Sequence, residues 1–328
     1  MSTSRQNRAK WLKLPAVLLA LVAATFVSGR SSFANDEPTP AATSASETAV
    51  RLWLVRTYGL GDPGDQVADL QQLDVQRLEA DQWRSESARS LVDSASERTT
   101  IVYVHGNRGN DGDAIARGKR LGQILAARPE APPLQVVIWS WPSGRAFRGR
   151  FDFVFKAERT DTEAWYLAAL LRQFPPRANV GMLGYSYGGR VITGAMHWHA
   201  GGTFEGRSLP TTTTAPRPYR VALLAPAVHV NWLASEGTHG EAWQVADRLL
   251  LFFNPCDPAL RWYKFLYRGQ RPTALGHFGI SESWLGESAT RIEQWDVSPT
   301  IGRSHDEDDY LYSPWISDQI GQFLLPTP

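Results

Sequence analysis

Cysteine is almost missing from this chain: Cys256 is the only one in 328 residues. A lone thiol closes no intrachain disulfide and supports no multi-thiolate metal cluster. Nor is there a surplus of one charge. The 34 lysines and arginines face 33 aspartates and glutamates, which gives no electrostatic case for a nucleic-acid partner. Two motif classes are lacking as well. No H-E-x-x-H zinc pair occurs, and Gly106 with Gly109 fits neither G-x-G-x-x-G nor the phosphate loop that ends in Gly-Lys and Ser or Thr. His197 and His199 are two apart on an expected helix and do not share a face. The sequence therefore points to no cofactor and no metal.

What is present is a 43% hydrophobic chain, enough for one sizeable core. Its basic residues are unevenly placed. Arg5, Arg8, Lys10 and Lys13 precede an apolar run of 14 residues from Leu14 to Val27, and Ser32 with Ala34 offers a small-residue cleavage site. Residues 1–34 thus read as a secretory signal peptide. The run is short for a helix crossing about 30 Å of hydrocarbon, and an uncleaved membrane tether is the alternative. Residues 35–49, rich in Pro, Ala, Ser and Thr, read as a flexible leader, with the folded domain over 50–328. This start implies an exported protein: periplasmic, secreted or membrane-anchored.

Within the domain, strand and helix patterns alternate. Val50 to Thr57 reads as a strand, followed by a mostly helical stretch to about Leu91. Thr99 to Val104, Leu134 to Trp139, Asn179 to Leu183, Val221 to Leu224, Leu249 to Phe253 and Ile292 to Val297 are short apolar or β-branched runs. Several are too apolar for a half-exposed strand and suit a parallel sheet buried on both faces. Helical spacing fills Ala114 to Ala127, Lys156 to Phe174 and Tyr187 to Trp198. The order argues for an α/β fold with a mostly parallel central sheet flanked by helices.

The sharpest motif is Gly184-Tyr185-Ser186-Tyr187-Gly188, set between an expected strand and helix, the context of a nucleophile elbow that holds Ser186 exposed above the sheet. A hydroxyl is a weak nucleophile and needs a base within hydrogen-bond reach. After the Thr99–Val104 strand, His105-Gly106-Asn107-Arg108-Gly109-Asn110 stands where one oxyanion donor arises, the other coming from the residue after the serine. Asn107 and Tyr187 are the candidates, through their backbone N–H groups. A one-residue change of register hands the first role to Arg108. His105 reads as a brace for the loop rather than a base.

Triad partners follow the serine, acid first. Asp257, in Asn254-Pro255-Cys256-Asp257-Pro258, is the candidate acid, with helix capping as its rival role. His305, in the loop after the last strand, is the candidate base; His277 is its chief rival, while His229 and His239 precede the acid. The run Asp306 to Asp309 reads as a solvated loop rather than a metal site.

Together, Tyr103-Val104-His105-Gly106-Asn107, the Ser186 elbow, Asp257 and His305 resemble the α/β-hydrolase superfamily. Trp139-Ser140-Trp141-Pro142-Ser143-Gly144 followed by Asp152 narrows the resemblance to the uncharacterised DUF900 esterase/lipase-like group. The resemblance implies serine-dependent hydrolysis of a small-molecule acyl substrate, an ester first, through an acyl-enzyme. Peptidase, amidase and thioesterase activities are alternatives, as is a catalytically silent binding protein on the same fold. Trp141 is read as packing or as a substrate wall, Asp152 as a loop brace, and Trp262, Tyr263, Phe265 and Tyr267 as a packed helix or an acyl-site lining. Only 24 residues separate Leu224 from Leu249, which leaves no room for a large lid domain.

Overall fold

The computed structural model describes residues 50–62, 69–210, 217–267 and 271–325. The expected signal peptide, 1–34, and leader, 35–49, lie outside the described residues.

The strands are β1 (Val50–Arg56), β2 (Asp74–Glu79), β3 (Gln82–Glu86), β4 (Thr99–Val104), β5 (Leu134–Ser140), β6 (Val180–Tyr185), β7 (Thr203–Phe204), β8 (Arg207–Ser208), β9 (Tyr219–Leu224), β10 (Ala246–Phe253) and β11 (Ile292–Asp296). The helices are α1 (Ala88–Ser94), α2 (Asp111–Ala126), α3 (Arg150–Leu171), α4 (Tyr187–His199), α5 (Pro258–Trp262), α6 (Leu275–Phe278), α7 (Ser298–Ile301), α8 (Glu307–Tyr312) and α9 (Pro314–Leu324). Apart from the small β7–β8 hairpin, the strands form one sheet of nine in the order β11-β10-β9-β6-β4-β5-β1-β2-β3. Pairing is parallel from β11 through to β1 and antiparallel only at β1–β2 and β2–β3. Every residue of β4, β5 and β6 is buried, as their largely apolar runs require of strands covered on both faces.

The helices divide between those faces. On β5, Ile138 meets α2, where a Cβ on Gly118 would lie 2.4 Å from its side chain. The next residue, Trp139, points the other way and donates its indole N–H to Glu163 of α3 at 2.9 Å. The α4 helix packs beside α3, and α9 beside α2. This is the α/β-hydrolase fold. Residues 225–245, between β9 and β10, contain a single 3-10 helix, Gly240–Gln244, and no inserted lid domain. No helix of the described residues is long and apolar enough to cross a membrane.

One expected element is corrected. The stretch before Leu91 is mainly a β-hairpin rather than a helix, with α1 forming only its end. Residues 74–79 carry only two apolar side chains, Val75 and Leu78, three apart, and β2 turns into β3 through Ala80 and Asp81 alone, at φ 46° and 61°. Two successive positive φ values make a tight hairpin turn that normally calls for Asn or Gly. Alanine in that place hides the turn from a reader of the sequence.

Topology then selects the site. The chain leaves β4 for β5 on one side and returns through α3 to β6 on the other, so strand order reverses around β4. Such a reversal, at the carboxyl ends of β4 and β6, is the position at which open α/β sheets bind ligands. The elbow itself needs both of its flanking glycines. A Cβ on Gly184 would come within 2.8 Å of the Gly188 backbone, and one on Gly188 within 1.9 Å of the Val104 carbonyl oxygen at the end of β4. Gly188→Ala is therefore expected to cost about 1–3 kcal/mol in urea unfolding. Gly144→Ala, with nothing within 4 Å of the new methyl, should stay within about 0.5 kcal/mol. Equal midpoints for the two variants would contradict this account of the elbow.

Candidate active site

Ser186 joins β6 directly to α4 and is held at φ 50°, ψ −116°, a conformation that an L-residue adopts only under constraint. Its N–H donates to Leu224 O at 2.9 Å, and its carbonyl accepts from Ala227 N–H at 3.0 Å and Gly189 N–H at 3.1 Å. These bonds fix the strained residue from the β9 side and from its own helix. The hydroxyl lies 3.2 Å from His305 Nε2. His305 Nδ1 lies 2.5 Å from Asp257 Oδ2. An ionised carboxylate only accepts, so the ring proton belongs on Nδ1, leaving the Nε2 lone pair to receive the serine O–H.

The two readings of Asp257 are both satisfied. Its Oδ1 accepts from the N–H groups of Ala259 at 2.8 Å and Leu260 at 3.1 Å, capping α5, while Oδ2 faces the imidazole. The carboxylate is fully buried, and each oxygen has a partner. His277 does not reach the serine; its Nδ1 rests 3.3 Å from Asn254 O. His229 pairs with the Tyr263 hydroxyl at 2.6 Å and His239 with that of Thr193 at 2.9 Å, so the earlier histidines belong to the core behind α4.

The expectation of an exposed serine is corrected, for Ser186 is only 5% exposed. The loop after β4 closes over it: the position of a Cβ on Gly106 lies 3.2 Å from Ser186 Cβ and 2.7 Å from the Tyr185 ring. The His305 side chain, 22% exposed, is the member of the triad that meets solvent.

The loop after β4 is anchored from below. His105 is fully buried and stacks on Trp141 with ring centroids 5.8 Å apart. Trp141 N–H donates to His105 Nε2 at 3.3 Å, and His105 Nδ1 lies 2.8 Å from Gly106 O, so the neutral ring carries its proton on Nδ1. Burial holds the His105 pKa down at about 4. Trp141 has no exposed surface and returns its indole N–H to His105 O at 2.9 Å, which makes it packing for the loop and not a substrate wall. Asp152 accepts from Ala146 N–H at 2.7 Å and Phe147 N–H at 2.9 Å. Arg108 N–H is taken by Ser143 O at 2.9 Å. Asn107 N–H has no backbone acceptor among the described residues, and Tyr187 N–H opens α4, where a helix leaves its first N–H groups unpaired. Trp262 and Phe265 are 64% and 48% exposed, whereas Tyr263 is buried and Tyr267 is half-buried against the core, its ring 4.8 Å from that of His229.

Three residues that hold the triad together carry no recognisable signal in the sequence. Asn254, fully buried, donates to Gly302 O at 3.0 Å and accepts from Cys256 N–H at 3.0 Å, clipping the acid loop to the histidine loop. Tyr185 donates its hydroxyl to His305 O at 2.9 Å. Glu307 overturns the solvated-loop reading of the acidic run. It is fully buried at the start of α8, accepts from the Tyr103 hydroxyl at 2.6 Å and pairs with Arg117 at 3.3 Å. Asp308 pairs with the same arginine at 2.7 Å.

No family model and no curated protein matches this chain. It is similar to solved structures of Thermogutta terrifontis esterase 2. The form phosphorylated by paraoxon is 13% identical, covers 83% of this chain and 99% of its own, and has a TM-score of 0.39. The forms phosphoramylated by tabun and phosphonylated by sarin are 12% and 13% identical, each covering 83% of this chain and 100% of its own with a TM-score of 0.38.

Burial pushes the Glu307 carboxyl up to about 7, against the pull of the Arg117 charge, the Tyr103 hydroxyl and the Gly106 N–H. Folding thus favours its neutral form. The stability that this proton linkage contributes is complete below the ordinary value of 4.5 and is lost as pH rises through about 7. Glu307→Gln cannot titrate, so the melting temperature of the wild type relative to that variant should fall over this window. A difference that stays constant between pH 4.5 and 8 would contradict the buried, proton-binding state.

Proposed function

We propose that this protein is a serine hydrolase that cleaves a carboxylic ester of a small-molecule acyl substrate through an acyl-enzyme. The observation that carries the reading is the unbroken chain from the Ser186 hydroxyl through the His305 ring to the buried Asp257 carboxylate. As Ser186 Oγ attacks the carbonyl carbon, its proton passes to His305 Nε2, and the imidazolium is stabilised by Asp257. Collapse of the tetrahedral intermediate breaks the bond to the alkoxide, which takes that proton and leaves as the alcohol. Water then repeats the attack on the acyl-serine, with His305 Nε2 removing its proton. The acid is released and the hydroxyl restored.

Charge on the intermediate oxygen is assigned to the N–H groups of Asn107 and Tyr187. Supporting Asn107 over Arg108 is the bond that already occupies Arg108 N–H. Supporting Tyr187 is its place as the first residue of α4, where the helix field adds to a single donor. The ester preference rests on the resemblance carried by residues 103–107 and 184–188. Membership of the DUF900 group rests on Trp139 to Gly144 and Asp152 alone. The pattern of residues 1–34 supports action outside the cytoplasm.

A fluorophosphonate probe should label the wild type and fail to label Ser186→Ala. His305→Ala should lower kcat at least about 1,000-fold, while His277→Ala retains most turnover. Screening both Ser186 forms against esters, thioesters and amides identifies the substrate class. Turnover of amides without esters would replace the ester reading. Absence of labelling in a chain shown to be folded would favour a silent binding fold.

A further inference from the structure

The triad chemistry leaves one piece of surface unused, the turn and first helical residues from Arg145 to Phe155. Three phenylalanines stand out from it: Phe147 is 49% exposed, Phe151 66% and Phe155 45%. Phe147 and Phe155 meet edge to face with centroids 5.1 Å apart, so they form a patch rather than scattered singles. Arg145 and Arg148 are exposed beside them, and the Arg150 guanidinium lies 5.1 Å above the Phe151 ring. No ion pair among the described residues includes any of these three arginines.

Neither fold stability nor local neutralisation accounts for this composition. Asp152, the one acid of the segment, is 1% exposed and spends its Oδ1 on the Ala146 and Phe147 N–H groups. Arg150 is the first residue of α3 and Arg148 precedes its Gly149 N-cap, at the end of a helix where positive charge is unfavourable. The nearby carboxylates at the start of α2 are engaged, Asp111 with Arg56 and Ser140, Asp113 with Asn110. The patch also adjoins the reaction centre. Phe153 lies 4.6 Å beneath the Arg108 guanidinium of the oxyanion loop, and its carbonyl accepts the Tyr187 hydroxyl at 3.0 Å.

Unpaired arginines interleaved with exposed aromatic rings match a surface that is negative outside and apolar just beneath. We infer that Arg145, Arg148 and Arg150 with Phe147, Phe151 and Phe155 form a docking surface for an anionic lipid bilayer, set beside the Ser186 site. The rings enter the boundary between headgroups and acyl chains while the guanidinium groups remain among the anionic headgroups. Docking deepens the ester-hydrolase reading by bringing the mouth of the site to esters held in such a surface, but the binding itself does not depend on that chemistry.

The test is amide hydrogen exchange of the full chain with vesicles of phosphatidylglycerol or of phosphatidylcholine, read over residues 144–156. A local readout separates this patch from any lipid contact made by the apolar residues near the N-terminus. Exchange there should slow with phosphatidylglycerol and not with phosphatidylcholine, and the protection should weaken as salt is raised. R145Q/R148Q/R150Q together should weaken the protective partitioning about 100-fold, and F147S/F151S/F155S should also lose it. Both variants are expected to keep turnover of a water-soluble ester, which shows that they are folded. Equal protection by the two lipids, protection retained in the arginine variant, or no protection by either lipid would overturn the proposal. The last outcome would turn attention to an acidic protein partner. Loss of ester turnover in the wild type would count against the hydrolase reading and leave the docking result standing.

Discussion

The site depends on the bond between His305 Nδ1 and Asp257 Oδ2. A fully buried carboxylate is tolerated only when its lone pairs are engaged, and here two backbone N–H groups and an imidazole engage them. The same bond decides the chemistry. With the proton fixed on Nδ1, the opposite nitrogen can only accept, and the single group presented to it is the serine hydroxyl. Structural satisfaction of a buried acid and activation of a nucleophile are one arrangement seen from its two ends.

Three strands bring the partners together, and side chains that do no chemistry hold their loops. Asn254 fastens the turn after β10 to the one after α7, Tyr185 holds the His305 backbone, and Glu307 anchors α8 against Tyr103 at the end of β4 and Arg117 on α2. The histidine is therefore fixed through its main chain as well as its ring. Beneath the neighbouring loop, a buried Trp141 donates both its backbone and its indole N–H to a neutral His105. Asn254, Glu307 and His105 are themselves fully buried, where an unmade bond costs more than in water.

Much of this is legible in the residues. Largely apolar runs mark β4, β5 and β6 because strands covered on both faces need no polar side. The elbow is legible because two glycines avoid collisions with backbone, and the order serine, acid, histidine follows from the order of strands. The β2–β3 hairpin was hidden because Ala80 and Asp81 do not advertise a left-handed turn. The acidic run after His305 concealed Glu307 for another reason: composition does not reveal that one of four adjacent acids faces inward toward a tyrosine and an arginine on distant elements. The depth of Ser186 was equally hidden, since it is set by how closely the Gly106 loop, 80 residues earlier, lies over the elbow.

The separation of the triad along the chain has a consequence for biosynthesis. His305 follows Ser186 by 119 residues and Asp257 by 48. At ordinary elongation rates of about 5–20 residues per second, a ribosome adds the general base roughly 6–24 s after the nucleophile. Until then the nascent polypeptide holds a serine no more reactive than any other. Hydrolytic competence therefore cannot precede synthesis of β11 and the loop that follows it.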